Sequence, residues 1–370
     1  MQPHTGSRVF GLDLMRAVAI LLVLRSHADD LLDAYWPADP GMAALDGVDV
    51  FFVLSGFLIG GILLRMSEAV EMAWGRRLID FWQRRWLRTL PNYFLFLLIN
   101  IILVHSGLAP GLLNENTLAY FVFLQNFIIP LDLFFWESWS LAVEEWFYLL
   151  FPILLFILIG ALKRPVRSAF LIGVGLMIII PTVLRFSAVE AAGTPFMLDL
   201  LVRKIVVLRL DTIGFGVLMA WFAHVLPAHF HARRFELFAI GVIGLTTSIL
   251  LRSDTNLTYM GTWFFTVSGM SMALMLPVVA GWKRTGRWGS GVAFLSLISY
   301  ALYLVHMPVR HLFMPLLVGR SLSLSIGLYA AYWIVCLILA ALVFRYWERP
   351  FMDLRQRFSR RILEVPSSSS

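Results

Sequence analysis

Long apolar runs recur from one end of this chain to the other, and they decide what it can fold into. Stretches such as VDVFFVLSGFLIGGILL (48–64), YFLFLLINIILV (93–104) and YAAYWIVCLILAALVF (329–344) offer water almost no polar surface. A helix needs roughly 20 mostly apolar residues to cross the hydrocarbon core of a bilayer. Candidates begin near residues 10, 47, 91, 139, 167, 205, 235, 259, 292 and 323. With 59% of residues hydrophobic and 14% charged, the chain has more apolar surface than a soluble domain can bury. An all-α polytopic membrane protein is expected. The first apolar stretch lacks a small-residue cleavage site and reads as a retained helix. Cys336 is the sole cysteine, which excludes an intramolecular disulfide, and no metal-ligand spacing is present.

Charge orients these helices. The connection from Ala28 to Asp46 holds Asp29, Asp30, Asp33, Asp39 and Asp46 and no basic residue, so it faces outward. The next connection carries Arg65, Arg76, Arg77, Arg84, Arg85 and Arg88 and faces the cytoplasm. Later basic clusters at Lys163/Arg164/Arg167, Arg233/Arg234, Lys283/Arg284/Arg287 and the tail from Arg345 follow the same side on one condition. The segment near 117–138, which includes TLAYFVFLQNFIIP, must stay outside or re-enter without crossing. Ten spans with both termini cytoplasmic satisfy that condition, leaving Arg16, Arg25 and Arg209 within helices. The net charge of +7 then reflects membrane orientation, and no nucleic-acid partner is expected. One transmembrane domain is expected over 1–351, with a basic cytoplasmic tail over 352–370 that ends disordered in PSSSS.

Ionisable groups inside spans are costly and mark functional sites by default. In GLDLMRAVAILLVLRSHADD (11–30), eleven steps of about 100° bring His27 to within roughly 20° of the face of Arg16, about 16 Å along the axis. Both can line one internal groove; the alternative is that His27 sits at the outer headgroup level. Arg25 points elsewhere. Other polar groups gather nearby: Asp49, Ser140, Glu144, Glu145, Tyr148, Arg209 and Asp211 in the outer half, with Ser299, Tyr300, Tyr303 and His306 near mid-membrane. A shared polar chamber accounts for them better than unrelated accidents do. On the inner side, GRRLIDFWQRRWLRTLPNY interleaves arginines with Trp82 and Trp86, and Arg84 and Arg88, four apart, can share a face. Guanidinium groups beside aromatics suit phosphate and adenine. A lipid-surface helix obeying the positive-inside rule is the competing reading, and the tail YWERPFMDLRQRFSRR admits both.

These landmarks together resemble the acyltransferase 3 family of integral membrane O-acyltransferases. Arg16 and His27 match its arginine, ten residues, histidine signature. VDVFFVLSGFLIG, RRWLRTLP, WSLAVEEWFYLLFP, RLDTIGFGVL, SYALYLVH and WERPF match its other motifs in order, across residues 11–351. Trp146 stands where many members have glutamine. Many members carry an added periplasmic esterase-like domain, which a chain ending at Ser370 is expected to lack.

The resemblance implies transfer of an acyl group, most often acetyl, from acyl-CoA to a hydroxyl of an extracytoplasmic sugar or glycan, in the bacterial inner membrane. Acyl-CoA would be a co-substrate, with no tightly bound cofactor. His27 would act as general base, suited by an imidazole pKa of about 6.5, with an acyl-histidine intermediate as the variant. Glu144 or Glu145 would orient the histidine and Arg16 would steady the thioester arm. Arg84, Arg85, Arg88 and Trp86 would hold the CoA head. Asp49, Trp139, Ser140, Arg209, Asp211, Tyr300 and His306 are candidates for holding the acceptor. The rival class is a transporter or flippase for a lipid-linked sugar or small acid, which would move substrate through the same groove without consuming acyl-CoA.

Overall fold

The computed structural model describes residues 8–31, 46–68, 74–132, 134–253, 255–317 and 321–354. Every regular element among them is helical. Ten long helices carry the architecture: α1 (Phe10–Ala28), α2 (Gly47–Glu68), α3 (Trp74–His105), α4 (Ser138–Phe156), α5 (Val166–Ala188), α6 (Leu210–Val225), α7 (Arg234–Leu250), α8 (Trp263–Gly281), α9 (Gly289–Leu317) and α10 (Leu322–Val343). Seven of them, α2, α3, α4, α5, α8, α9 and α10, are long and apolar enough to cross a membrane. The other three fall short for visible reasons. α1 carries Asp13, Arg16 and Arg25, while α6 and α7 have 16 and 17 residues.

Two sequence expectations need correction. The span expected near residue 91 begins at Trp74, so the arginine-rich stretch and the apolar stretch form one helix of 32 residues. Arginine, tryptophan and leucine do not break a helix, and Asp80 stabilises this turn by pairing with Arg84 at 2.7 Å. Pro91 lies inside α3; the indole N–H of Trp347 donates to its carbonyl at 3.1 Å, and Asn92 donates to Glu348 at 2.9 Å. The WERPF stretch thus clasps α3 at its proline. The span expected near 205 begins instead at Leu210, because residues 199–208 form π and 3-10 turns. The backbone amide of Val206 donates to the Asn126 carbonyl at 2.9 Å and holds that connection against the segment before α4.

Between α3 and α4 the one regular element among the described residues is a 3-10 helix, Glu115–Val122, capped by Asn114 and ended by Phe123 at φ 59°. Eight residues in that geometry cannot cross a bilayer. The tail is helical through Leu354; residues 355–370, and Asp33 and Asp39 of the acidic connection, lie outside the described residues.

Small residues set the closest helix contact. A Cβ added to Gly56 of α2 would lie 2.0 Å from the Ile213 carbonyl oxygen, and one added to Gly216 of α6 would lie 2.1 Å from that of Val53. Only glycine lets the two backbones touch at these points. Buried ion pairs lock the same region. Arg209 pairs with Asp49, joining α6 to α2. Arg185, in the last turn of α5, pairs with Asp211 of α6 at 2.7 Å, both side chains fully buried. These pairs and the close glycine contact tie α2, α5 and α6 together.

Candidate active site

Two cavities adjoin inside the bundle. The first, of about 410 Å³, is lined by Arg16, Arg65, Arg85, Arg88, Glu144 and Tyr300 among apolar walls from Phe51, Phe52, Leu58 and Ile62. The second, of about 630 Å³, contains His27, Asp46, Asp49, Glu137, Trp139, Arg203 and Arg310 in its wall. Val48 and Tyr303 line both. Arg16 and His27, on one face of α1, thus open into consecutive chambers that meet at a valine and a tyrosine.

The histidine chamber fixes its imidazole. His27 Nδ1 lies 2.9 Å from the Val23 carbonyl. A carbonyl only accepts, so Nδ1 carries the hydrogen and Nε2 keeps its lone pair. His306 repeats the arrangement, donating from Nδ1 to the Tyr303 carbonyl at 2.5 Å and leaving Nε2 buried with no hydrogen-bond partner among the described residues. The two rings stand 5.0 Å apart. His306 thus backs His27 and is absent from the lining of either cavity. The Arg310 guanidinium donates to the His27 carbonyl at 2.9 Å, which anchors the end of α1 to α9.

At the junction, the Tyr303 hydroxyl donates to the Glu137 carbonyl at 2.9 Å and takes the Ser140 hydroxyl at 2.6 Å. Ser140 faces the arginine chamber and Trp139 the histidine chamber, one residue apart at the start of α4. In the arginine chamber, Arg85 lies 4.1 Å over the Tyr148 ring and hydrogen-bonds its hydroxyl, which also meets Ser55. The Tyr300 hydroxyl donates to the Thr89 carbonyl at 2.8 Å.

Several candidate residues stand elsewhere. Arg84 is exposed and paired with Asp80, outside the arginine chamber. The inward face of α3 runs through Leu78, Phe81, Arg85, Arg88 and Asn92, so Arg88 shares its side with Arg85 and not with Arg84. Trp86 and Glu145 line a separate groove of about 270 Å³ with Phe94, Phe123 and Trp146. Glu145 accepts from Thr89 at 2.6 Å. Neither Glu144 nor Glu145 lines the chamber that contains His27. Arg209 and Asp211 line neither chamber, because each is consumed by a buried ion pair. Asp49 faces the histidine chamber while pairing with Arg209.

Other residues enter that the sequence left unmarked. Arg203 pairs with Asp46 and Asp199, and Lys204 meets Asp199 at 2.5 Å. Burial alone would raise both carboxyls, but the adjoining Arg203 holds Asp46 and Asp199 below the usual carboxylate range. Arg203 stacks 4.8 Å over Trp139, and Lys204 lies 4.3 Å over Trp136. Glu137, immediately before α4, is buried in the chamber wall, and burial pushes its carboxyl up. Arg65 belongs to the arginine chamber. Sixteen residues separate it from Asp49 on α2, about four and a half turns, so no shared helix face marked it in the sequence.

The fold and its cavities define a polytopic helical membrane protein with two adjoining chambers that hold charged residues. Comparison with known sequences specifies it further: residues 9–345 match the acyltransferase domain of the acyltransferase 3 family, and the chain belongs to that family. A Staphylococcus aureus (strain COL) protein, provisionally named as an O-acetyltransferase, is 26% identical over 375 residues, covering 92% of this chain and 57% of its own length. The O-acetyltransferase OatA of S. aureus (strain NCTC 8325) is 30% identical over 255 residues, covering 57% of this chain and 40% of its own. The peptidoglycan O-acetyltransferase OatA of Listeria monocytogenes is 29% identical over 188 residues, covering 47% and 28% respectively. The chain thus spans little more than half the length of the curated relatives it matches. No solved structure matches it.

Proposed function

We propose that this chain is an O-acetyltransferase that takes acetyl from cytosolic acetyl-CoA through the arginine chamber and delivers it to a hydroxyl of an extracytoplasmic glycan in the histidine chamber. In this reading ten helices span the bacterial inner membrane, with both termini cytoplasmic. The observation that carries the proposal is the placement of Arg16 and His27 in two chambers that meet at Val48 and Tyr303. A transferase working across a membrane must bring a donor from one side and an acceptor from the other to one point, and the junction of the two chambers offers such a point.

Arg65, Arg85 and Arg88 would receive the CoA phosphates, since guanidinium groups bind phosphate through forked hydrogen bonds. The extended arm would run past Arg16 toward the junction. His27 Nε2, bearing its lone pair, would take the proton of the acceptor hydroxyl as the oxygen attacks the thioester carbonyl. The C–S bond breaks, the ester forms, and the imidazolium returns its proton to the departing thiolate. The O-acetyltransferase names of the relatives and the family membership support this chemistry over transport.

The test uses purified chain reconstituted in vesicles, with acetyl-CoA supplied on the Arg85 side and envelope glycan on the other. Stoichiometric release of CoA thiol and base-labile acetate on the glycan is the expected result. Movement of a sugar or acid across the vesicle wall with no thiol release would favour the transporter.

A further inference from the structure

The histidine chamber has four carboxyl groups in its wall: Asp46, Asp49, Glu137 and Asp199. Three have a basic partner. Asp46 and Asp199 share Arg203, and Asp49 takes Arg209. Glu137 differs. It is 4% exposed, and among the described residues no other residue hydrogen-bonds either carboxyl oxygen. A buried carboxyl without a partner is costly, and its retention in a folded chain calls for a ligand or a structural reason. A structural reason is served by its backbone alone, because it is the Glu137 carbonyl, not the carboxyl, that accepts from Tyr303.

We propose that the Glu137 carboxyl is the acceptor-holding group of the histidine chamber: it accepts a hydrogen bond from a hydroxyl of the glycan other than the one acylated, and so fixes which hydroxyl reaches His27. This rests on the transferase reading above. The surrounding chemistry fits a polyhydroxyl ligand. Arg203 and Lys204 are already engaged by Asp46, Asp199 and the indoles of Trp139 and Trp136, so they stiffen the wall around an uncommitted carboxyl. Glu137 is also joined through its carbonyl to Tyr303, at the wall through which the acyl group must arrive. An acceptor gripped there is held beside the junction and not elsewhere in the chamber. Burial favours the neutral carboxyl; a hydroxyl donor supplies the polar contact that the surrounding described residues do not.

The experiment compares wild type, Glu137→Ala and Glu137→Gln in cells lacking the native copy. Base-labile acetate on envelope glycan is measured and its position mapped by mass spectrometry. Acetyl-CoA binding to the purified proteins is read from thermal stabilisation. Glu137→Ala should lower glycan acetate at least tenfold or scatter it over several hydroxyls, with acetyl-CoA stabilisation unchanged. Glu137→Gln, whose amide oxygen still accepts, should retain more than the alanine variant and keep the wild-type position. Wild-type amount and position in Glu137→Ala would overturn the proposal. Parallel loss of acetyl-CoA stabilisation would also overturn it, showing a structural role. If wild type itself adds no acetate, the transferase reading falls first, and the two failures are thereby told apart.

Discussion

Replacing Asp211 with alanine leaves the Arg185 guanidinium fully buried without its counter-charge. Nη1 keeps the Leu208 carbonyl at 2.7 Å, and Nη2 keeps Thr266 at 2.7 Å and Thr182 at 3.2 Å. None of these acceptors is charged, and removing one member of a buried pair costs about 3–5 kcal/mol. That is a large share of the roughly 5–15 kcal/mol by which proteins exceed unfolding. The expected outcome is a marked drop in the monodisperse fraction and melting temperature of detergent-solubilised Asp211→Ala, followed by tryptophan fluorescence. The double variant Arg185→Met with Asp211→Leu removes both charges and should recover most of the loss. Activity per folded molecule should stay near wild type in the double variant, because Asp211 lines neither chamber. The reasoning is refuted if Asp211→Ala melts like wild type, or if the double variant melts like the single one. A rise of more than about tenfold in acceptor KM for a well-folded double variant, a difference of about 1.4 kcal/mol, would restore Asp211 to the acceptor site.

Three further variants probe the route itself. Arg85→Ala with Arg88→Ala removes two guanidinium groups from the arginine chamber, each charge-assisted contact being worth roughly 1.5–3 kcal/mol. Acetyl-CoA affinity should fall by about a hundredfold or more by direct titration, whereas Arg84→Ala, which loses only a surface pair with Asp80, should bind like wild type. Val48→Phe adds bulk where the two chambers meet; transfer should be lost while acetyl-CoA binding survives, and unimpaired transfer in a rate assay would show that the acyl group takes another path.

Much of this layout was written in the chain at the level of single helices. Arg16 and His27 share a face because eleven residues make close to three helical turns, and that needs no knowledge of neighbours. Hydropathy placed the apolar helices for the same reason. What needed tertiary partners escaped. Asp211 looked like a chamber acid until Arg185 approached it from α5, and Arg185 itself, near the end of an apolar run, was not singled out. Arg84 and Arg88 are four apart and plausible as a pair, yet packing turns the 85–88 side of α3 inward because Leu78 and Phe81 bury on it. Glu137 carries no periodic or motif signal at all; only the wall around it shows that its carboxyl lacks a partner. The arginine stretch was read as helical, but its continuity with the apolar span near residue 91 was not, because charge ends only the lipid-facing part of a helix.

The most direct test of the account is the acetyl-transfer rate of reconstituted His27→Ala, measured beside its acetyl-CoA binding. Loss of the base should slow transfer by about a hundredfold to ten-thousandfold, with acetyl-CoA binding intact, since His27 is absent from the arginine chamber. Transfer at the wild-type rate would contradict the assignment of His27, and with it the division of the protein into a donor room and an acceptor room.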